Sequence, residues 1–203
     1  MAQEQLIISV GREFGSGGHL IAEMIAEAFH LPLYDYNLLQ EIAAGRNIDV
    51  SHLKKYDELP RRRFFHRTVK GHTSSPEVNI AQMQFDFIRQ NAAEGESFVI
   101  VGRCAEEVLK GHQALVSVFI NGDHDKKLER IKKLYNLNHE DAEALMQTTN
   151  RKRKNYHNHF CTTQWGDSRN YELCINASRI GYEETAEVIE TYIRHRFHDL
   201  DIE

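Results

Sequence analysis

Residues 6–29, LIISVGREFGSGGHLIAEMIAEAF, constrain this chain more than any other stretch. Four β-favouring residues, Leu6, Ile7, Ile8 and Val10, run into a loop that holds Gly11, Gly15, Gly17 and Gly18. A helical pattern follows at once, with apolar positions at Leu20, Ile21, Met24, Ile25, Ala28 and Phe29. Strand, glycine loop and helix in this order are the setting in which a phosphate-binding loop sits. Glycines let successive backbone N–H groups turn inward, and a helix N-terminus adds positive potential where phosphate oxygens collect. The plainer alternative is a strand–helix turn that needs glycine only for its backbone angles. Four glycines within eight residues exceed what such a turn requires.

The loop departs from the pattern G-x-x-x-x-G-K-[ST]. Gly18 stands where the lysine would follow, with His19 and Leu20 after it. That lysine would reach the β- and γ-phosphates and the next hydroxyl would hold Mg²⁺, so two chemical handles are missing. Arg12, His19 or an arginine from elsewhere is the candidate source of the charge.

With 203 residues, the chain is long enough for one α/β domain with a real core and a small helical insertion. Lys and Arg total 25 against 30 Asp and Glu, a net charge of −5, so an overall basic field for nucleic acid is absent and any anion site is local. Apolar runs are too short to span a membrane, and residues 1–5 are polar rather than a signal sequence. Cys104, Cys161 and Cys174 are odd in number, widely spaced and without a zinc signature, which points to reduced thiols in a cytoplasmic protein.

Downstream, strand and helix patterns alternate, which predicts a mostly parallel sheet covered on both faces. Strands are expected over 31–35 (LPLYD), 97–103 (SFVIVGR), 114–120 (ALVSVFI) and 171–178 (YELCINAS). Helices are expected over 37–44 with Gly45 as the stop, 77–93, 104–110, 123–135, from Asn138 to about residue 160, and from Gly181 onward. Asp35 ends the second strand, where such folds face their ligand; the alternative role is to cap the next helix. Arg103 ends the third main strand and could grip a phosphate bidentately. Residues 46–76 are irregular and carry the basic-aromatic run Arg61, Arg62, Arg63, Phe64, Phe65, His66, Arg67, either an exposed face or a substrate-phosphate contact. In RKRKNYHNHF, Arg151 and Arg153 are two apart on a helix and cannot share a face. They belong either to a solvated face or to a lid that closes over phosphates. His157 and His159 have no third ligand nearby in sequence, so no metal site is expected. Trp165 is expected to anchor packing.

These blocks together, ISVGREFGSGGHLIA, LPLYD, VIVGRCAEEVL, the arginine-rich helix leading to TTQWGD, and NYELCINAS, resemble the cytidylate kinase-like family, a branch of the P-loop nucleoside monophosphate kinases. The resemblance spans nearly the whole chain and is weakest over about 46–96. It implies a P-loop NTPase-type α/β three-layer sandwich with a five-stranded parallel sheet. It also implies a small helical monophosphate-binding insertion over 46–96 and an arginine-bearing lid over 139–168. The implied reaction moves the γ-phosphoryl of ATP, with Mg²⁺, onto CMP or dCMP. Gly11, Gly15, Ser16, Gly17, Gly18, His19 and Leu20 would hold ATP. Arg103, Arg130 and Asp35 would meet the acceptor, while Arg12, Arg151, Arg153 and Asp35 would serve the transfer. The partners implied are small-molecule nucleotides, neither nucleic acid nor membrane, for a monomer or homodimer. Two departures are local: Asn150 stands where the lid's D-x-x-R pattern has aspartate, and Tyr36 and Glu41 replace the serine and arginine that follow the second-strand aspartate. A nucleotide-binding regulatory module without transfer activity, or a kinase for another small acceptor, are the competing functions.

Overall fold

The computed structural model describes residues 4–35, 37–46, 68–69, 72–73 and 76–197. Tyr36 and the basic-aromatic run from Arg61 to Arg67 lie outside the described residues, as does much of the 46–76 stretch. The elements in chain order are β1 (Ile7–Arg12), α1 (Gly18–Ala28), β2 (Leu33–Tyr34), α2 (Leu38–Arg46), β3 (Thr68–Val69), β4 (His72–Thr73), α3 (Pro76–Ala93), β5 (Phe98–Val101) and α4 (Ala105–Val108). They continue with β6 (Leu115–Asn121), α5 (His124–Tyr135), α6 (His139–Phe160), a 3₁₀ turn (Ser168–Asn170), β7 (Leu173–Asn176), α7 (Ala177–Ile180) and α8 (Tyr182–Arg196).

Five strands form one parallel sheet in the order β2-β5-β1-β6-β7, while β3 and β4 make a separate antiparallel hairpin. Strand β1 is central, and Ile7, Ile8 and Val10 are fully buried. Their alternation sends side chains to both faces. Ile8 and Val10, with Val99, Val101, Val116 and Val118, pack on Ile21 and Ile25 of α1 and Ile189 and Ile193 of α8. Ile7, Phe98 and Ile100 pack on Leu38, Leu39 and Ile42 of α2 and Ile80 and Ile88 of α3. Each such side chain contributes about 1.5–3 kcal/mol on burial, and both faces are covered, which is the three-layer architecture.

Two smaller clusters hold α6 at its two ends. Ala142 and Met146 pack on Leu128 and Ile131 of α5. Tyr156 packs on Ala81 and Phe85 of α3 and on Cys104. Asn138 caps the start of α6 by accepting from the Asp141 N–H at 2.9 Å.

Some boundaries differ from the sequence pattern. Helix α2 runs through Gly45 to Arg46, because buried Leu38, Leu39 and Ile42 hold a helix whose interior glycine costs about 1 kcal/mol. Strand β2 has two residues rather than five, since an edge strand is defined only where it pairs, here Leu33 with Val99 and Tyr34 with Ile100. The run 171–178 is strand only over Leu173–Asn176, preceded by the 3₁₀ turn.

Candidate active site

The glycine loop emerges from the C-terminal end of β1, beside the same ends of β5 and β6, where open parallel sheets place their ligands. Gly17 caps α1 at φ 85°, and a Cβ there would collide with the Tyr182 ring. Gly18 is the first residue of α1; a Cβ on it would sit 2.5 Å from Cβ of Arg12. The residue in the lysine's place is therefore side-chain-free because Arg12 fills the adjoining space. The Arg12 guanidinium continues across the sheet end, against Gly102 and 3.7 Å from Asp35 Oδ1. Ser16 is buried and donates its hydroxyl to the Glu13 carbonyl at 2.9 Å, which closes the loop from inside. Glu13 Oε2 accepts from the Gly122 N–H at 3.3 Å and pairs with Lys127 Nζ at 2.5 Å.

In front of the loop lies a cleft of about 400 Å³, lined by Arg12, Phe14, Gly15, Gly17, Gly18, His19, Leu20, Asp35, Arg130, Leu134 and Arg153, among others. Three arginines reach it from three elements. Arg12 comes from β1; Arg130 of α5 lies 4.8 Å over the Tyr182 ring; Arg153 of α6 lies 5.6 Å over the Phe14 ring. Arg153 also donates to the Arg12 carbonyl at 3.3 Å. The buried Asp35 places Oδ2 2.7 Å from His19 Nδ1, and His19 Nε2 lies 3.2 Å from Glu23. Asn150 accepts from the Phe14 N–H at 2.7 Å, which ties α6 to the loop.

Behind Arg12 is a second, small cavity of about 30 Å³, lined by Gly11, Arg12, Arg103, Glu106, Arg153, Tyr156, His157, Trp165 and Tyr171, among others. Gly102, Arg103 and Cys104 are consecutively left-handed, at φ 77°, 59° and 55°. For the two non-glycine residues this costs on the order of 1–3 kcal/mol each and occurs where surrounding packing over-determines the turn. The turn buries Arg103 and brings its Nη2 to 3.5 Å from the Asp35 carbonyl. Burial and the nearby Glu106 push the Tyr171 phenol well above its usual range, so it stays protonated.

Over residues 7–179 the sequence matches the cytidylate kinase-like family. The chain belongs to that family. No curated protein matches it. Among solved structures, it is similar to an uncharacterized protein from Eubacterium ventriosum, with 38% identity, a TM-score of 0.74, and coverage of 93% of this chain and 98% of the other. A gluconokinase from Sinorhizobium meliloti matches at 14% identity and a TM-score of 0.56, covering 98% of this chain and 97% of that one. A shikimate kinase from Bacteroides thetaiotaomicron matches at 14% identity and a TM-score of 0.55, covering 93% and 98%. At those identities the two kinases share the fold, a P-loop-type three-layer α/β sandwich. Among the described residues, no helix is long and apolar enough to cross a membrane.

Within this cytidylate kinase-like chain, the residues singled out by sequence separate into three groups. Arg12, Gly15, Gly17, Gly18, His19, Leu20, Asp35, Arg130 and Arg153 share the front cleft, and Gly11 and Arg103 line the rear cavity with Arg12 and Arg153. Ser16 lines neither, because its hydroxyl is turned into the loop. Arg151 is exposed and lines neither cavity; two residues along α6 rotate it by about 200° from Arg153. Asp35 does not cap α2 with its carboxylate, which goes to His19; Asn37 Oδ1 instead accepts the Asp35 N–H at 2.8 Å. Trp165 packs edge-on against Phe119 at 5.4 Å, a packing anchor at the rim of the rear cavity.

Glu13, Lys127, Phe14 and Tyr182 were not legible as site residues, since each acts through a contact distant in sequence. Asn150 was partly legible, three residues before Arg153. His157 meets Glu106 Oε1 through Nε2 at 2.7 Å and Asn158 Oδ1 through Nδ1 at 3.4 Å, and Glu106, His157 and Cys161 offer ligand-type atoms within 4.8 Å of one another.

Proposed function

We propose that the protein transfers the γ-phosphoryl group of ATP to a nucleoside monophosphate, CMP or dCMP. The observation that carries this reading is the convergence of Arg12, Arg130 and Arg153 on the cleft into which the N-terminus of α1 opens. The cleft volume of about 400 Å³ suits a nucleotide-sized ligand. Backbone N–H groups from Gly15 to Leu20 and the positive end of α1 would hold the ATP phosphates. The absent lysine's charge is supplied by Arg12, whose side chain takes the space beside Gly18. Bound Mg²⁺ would neutralise phosphate charge, and Asp35, the buried carboxylate of the cleft, is the residue suited to orient it through water. Arg130, stacked on Tyr182, lines both the cleft and a neighbouring groove of about 630 Å³, and the pair would offer a flat surface for the donor base. Arg103 would grip the acceptor phosphate from behind Arg12, and Arg153, lining both cavities, would stabilise charge on the transferred group. Direct transfer between aligned substrates requires no covalent protein intermediate.

A second reading, nucleotide binding without transfer, is favoured by one feature. Lys127, on the helix beside the loop, is committed to Glu13 and does not replace the missing lysine. Calorimetric titration with ATP–Mg²⁺, together with a coupled ADP-release assay on a panel of nucleoside monophosphates, separates the readings. Binding with ADP release on CMP or dCMP is the expected result. Binding without release on any acceptor would favour the regulatory module, and release with another acceptor would change the substrate. An Arg103→Ala variant with unaltered turnover and acceptor affinity would remove Arg103 from the acceptor site.

A further inference from the structure

Beside the rear cavity, which Cys104, Glu106 and His157 line, these three side chains and Cys161 form a cluster that phosphoryl transfer does not use. Glu106 Oε1 lies 2.7 Å from His157 Nε2, with both side chains 5% exposed. The other Glu106 oxygen accepts from Ser9 Oγ at 3.4 Å. Cys161 follows immediately after α6, one helical turn beyond His157, and its N–H donates to the His157 carbonyl at 2.8 Å. The Cys161 sulfur lies within 4.8 Å of an imidazole nitrogen of His157 and a carboxylate oxygen of Glu106, and Cys161 packs in the same cluster as the buried Cys104. The series is thiol, imidazole, carboxylate, with a second thiol at the first. An imidazole that a carboxylate holds beside a thiol favours the thiolate, the nucleophilic form of cysteine.

We propose that Cys161 is an oxidant-sensitive thiol, oxidised by peroxides and resolved by Cys104, so that a Cys104–Cys161 disulfide forms between the β5–α4 turn and the end of α6. The Cys161 thiolate attacks one peroxide oxygen; an S–O bond forms, the O–O bond breaks, and the departing hydroxide takes a proton to leave as water. The Cys104 sulfur then attacks the sulfenic sulfur; an S–S bond forms, the S–O bond breaks, and the oxygen leaves as water with the Cys104 proton. Two thiols are oxidised and one peroxide is reduced to two waters.

Charge around the sulfur supports the first step. The Cys104 hydrogen bond, followed by the adjacent His157, outweighs burial and brings the Cys161 thiol down to about 7. Burial opposes charge on His157, yet Cys161 and Glu106 overcome it and hold the imidazole up to about 10. Cys174 provides an internal comparison. It is exposed, whereas Cys161 is half-buried, but partial desolvation of its sulfur and the nearby Asp167 push its thiol up. Accessibility alone would make Cys174 react first; the cluster makes Cys161 react first.

The test treats the whole protein with hydrogen peroxide at neutral pH, blocks remaining thiols with N-ethylmaleimide, and maps products by intact mass and peptide mass spectrometry. The expected product has lost two hydrogens, joins the Cys104 and Cys161 peptides, reverts with dithiothreitol, and leaves Cys174 alkylated. In Cys104→Ser, dimedone should trap a sulfenic acid at Cys161; in Cys161→Ser, the rapid phase should vanish. Faster oxidation of Cys174 than of Cys161 in the unaltered protein would overturn the proposal. So would a persistent Cys161 sulfenic acid with Cys104 present, or zinc in the purified protein whose chelation is needed before Cys161 reacts.

Discussion

The cleft in front of Arg12 and the cavity behind it share Arg12 and Arg153, yet they treat charge differently. In front, about 400 Å³ is open, and the His19 and Glu23 side chains of the local ion pairs are 39% and 51% exposed. Behind, the space is about 30 Å³, and Glu106 and His157 neutralise each other at 5% exposure. Water screens the exposed His19–Glu23 pair, whereas the rear pair is bound in a low-dielectric interior where an unmatched charge is costly. Substitutions among the residues that would meet ligand should therefore alter ligand chemistry, and substitutions in the Glu106–His157 pair should alter stability.

The largest effect should come from the rear. Glu106→Ala leaves His157 without its carboxylate and should cost about 3–5 kcal/mol of unfolding free energy. Urea denaturation measures it, and an unchanged midpoint would show that the pair is not a structural element. Arg103→Lys keeps the charge but loses the planar fork. On the proposed kinase reading it should lower turnover with CMP about 100-fold while leaving the urea midpoint near that of the parent; a larger change in stability than in turnover would move Arg103 from the ligand side to the structural side. Gly17→Ala sits between the two classes, because φ 85° and the Tyr182 ring both oppose a side chain. A loss of about 1–3 kcal/mol in stability should accompany weaker ATP binding in calorimetry, and Tyr182→Leu in the same chain should recover the part due to the ring. Arg151→Ala should be the smallest, within about 0.5 kcal/mol and with turnover unchanged, since Arg151 is exposed outside both cavities. A turnover defect in Arg151→Ala comparable to that of Arg153→Ala would break the assignment of one helix face to the site.

Much of the fold could be read along the chain. The continuous apolar runs around Ile7, Val99 and Val118 specify buried strands, and the helical stripes of Ile21, Ile25, Ile189 and Ile193 specify helices and their buried sides, within a few residues. The glycine loop was legible for the same reason: Gly15, Gly17 and Gly18 impose local backbone geometry. Arg103 and Asp35 were legible because a strand's C-terminal end in a parallel sheet faces the ligand side.

Other features needed the packed molecule. The choice of Arg153 over Arg151 depends on which face of α6 the loop meets, and the Phe14 N–H to Asn150 bond sets that face across 136 residues. The reason Gly18 carries no side chain is the path of Arg12, six residues earlier and folded back across the helix start. Glu106, His157, Cys161 and Cys104 come together only when α6 docks on α3 and α4. By itself, the sequence determined the elements, the buried faces of the helices and the glycine loop, because dihedral preference and hydrophobic period act over neighbouring residues. The pairing of charges was decided by tertiary structure, because a Coulomb interaction depends on distance and desolvation through space, and neither follows from separation along the chain.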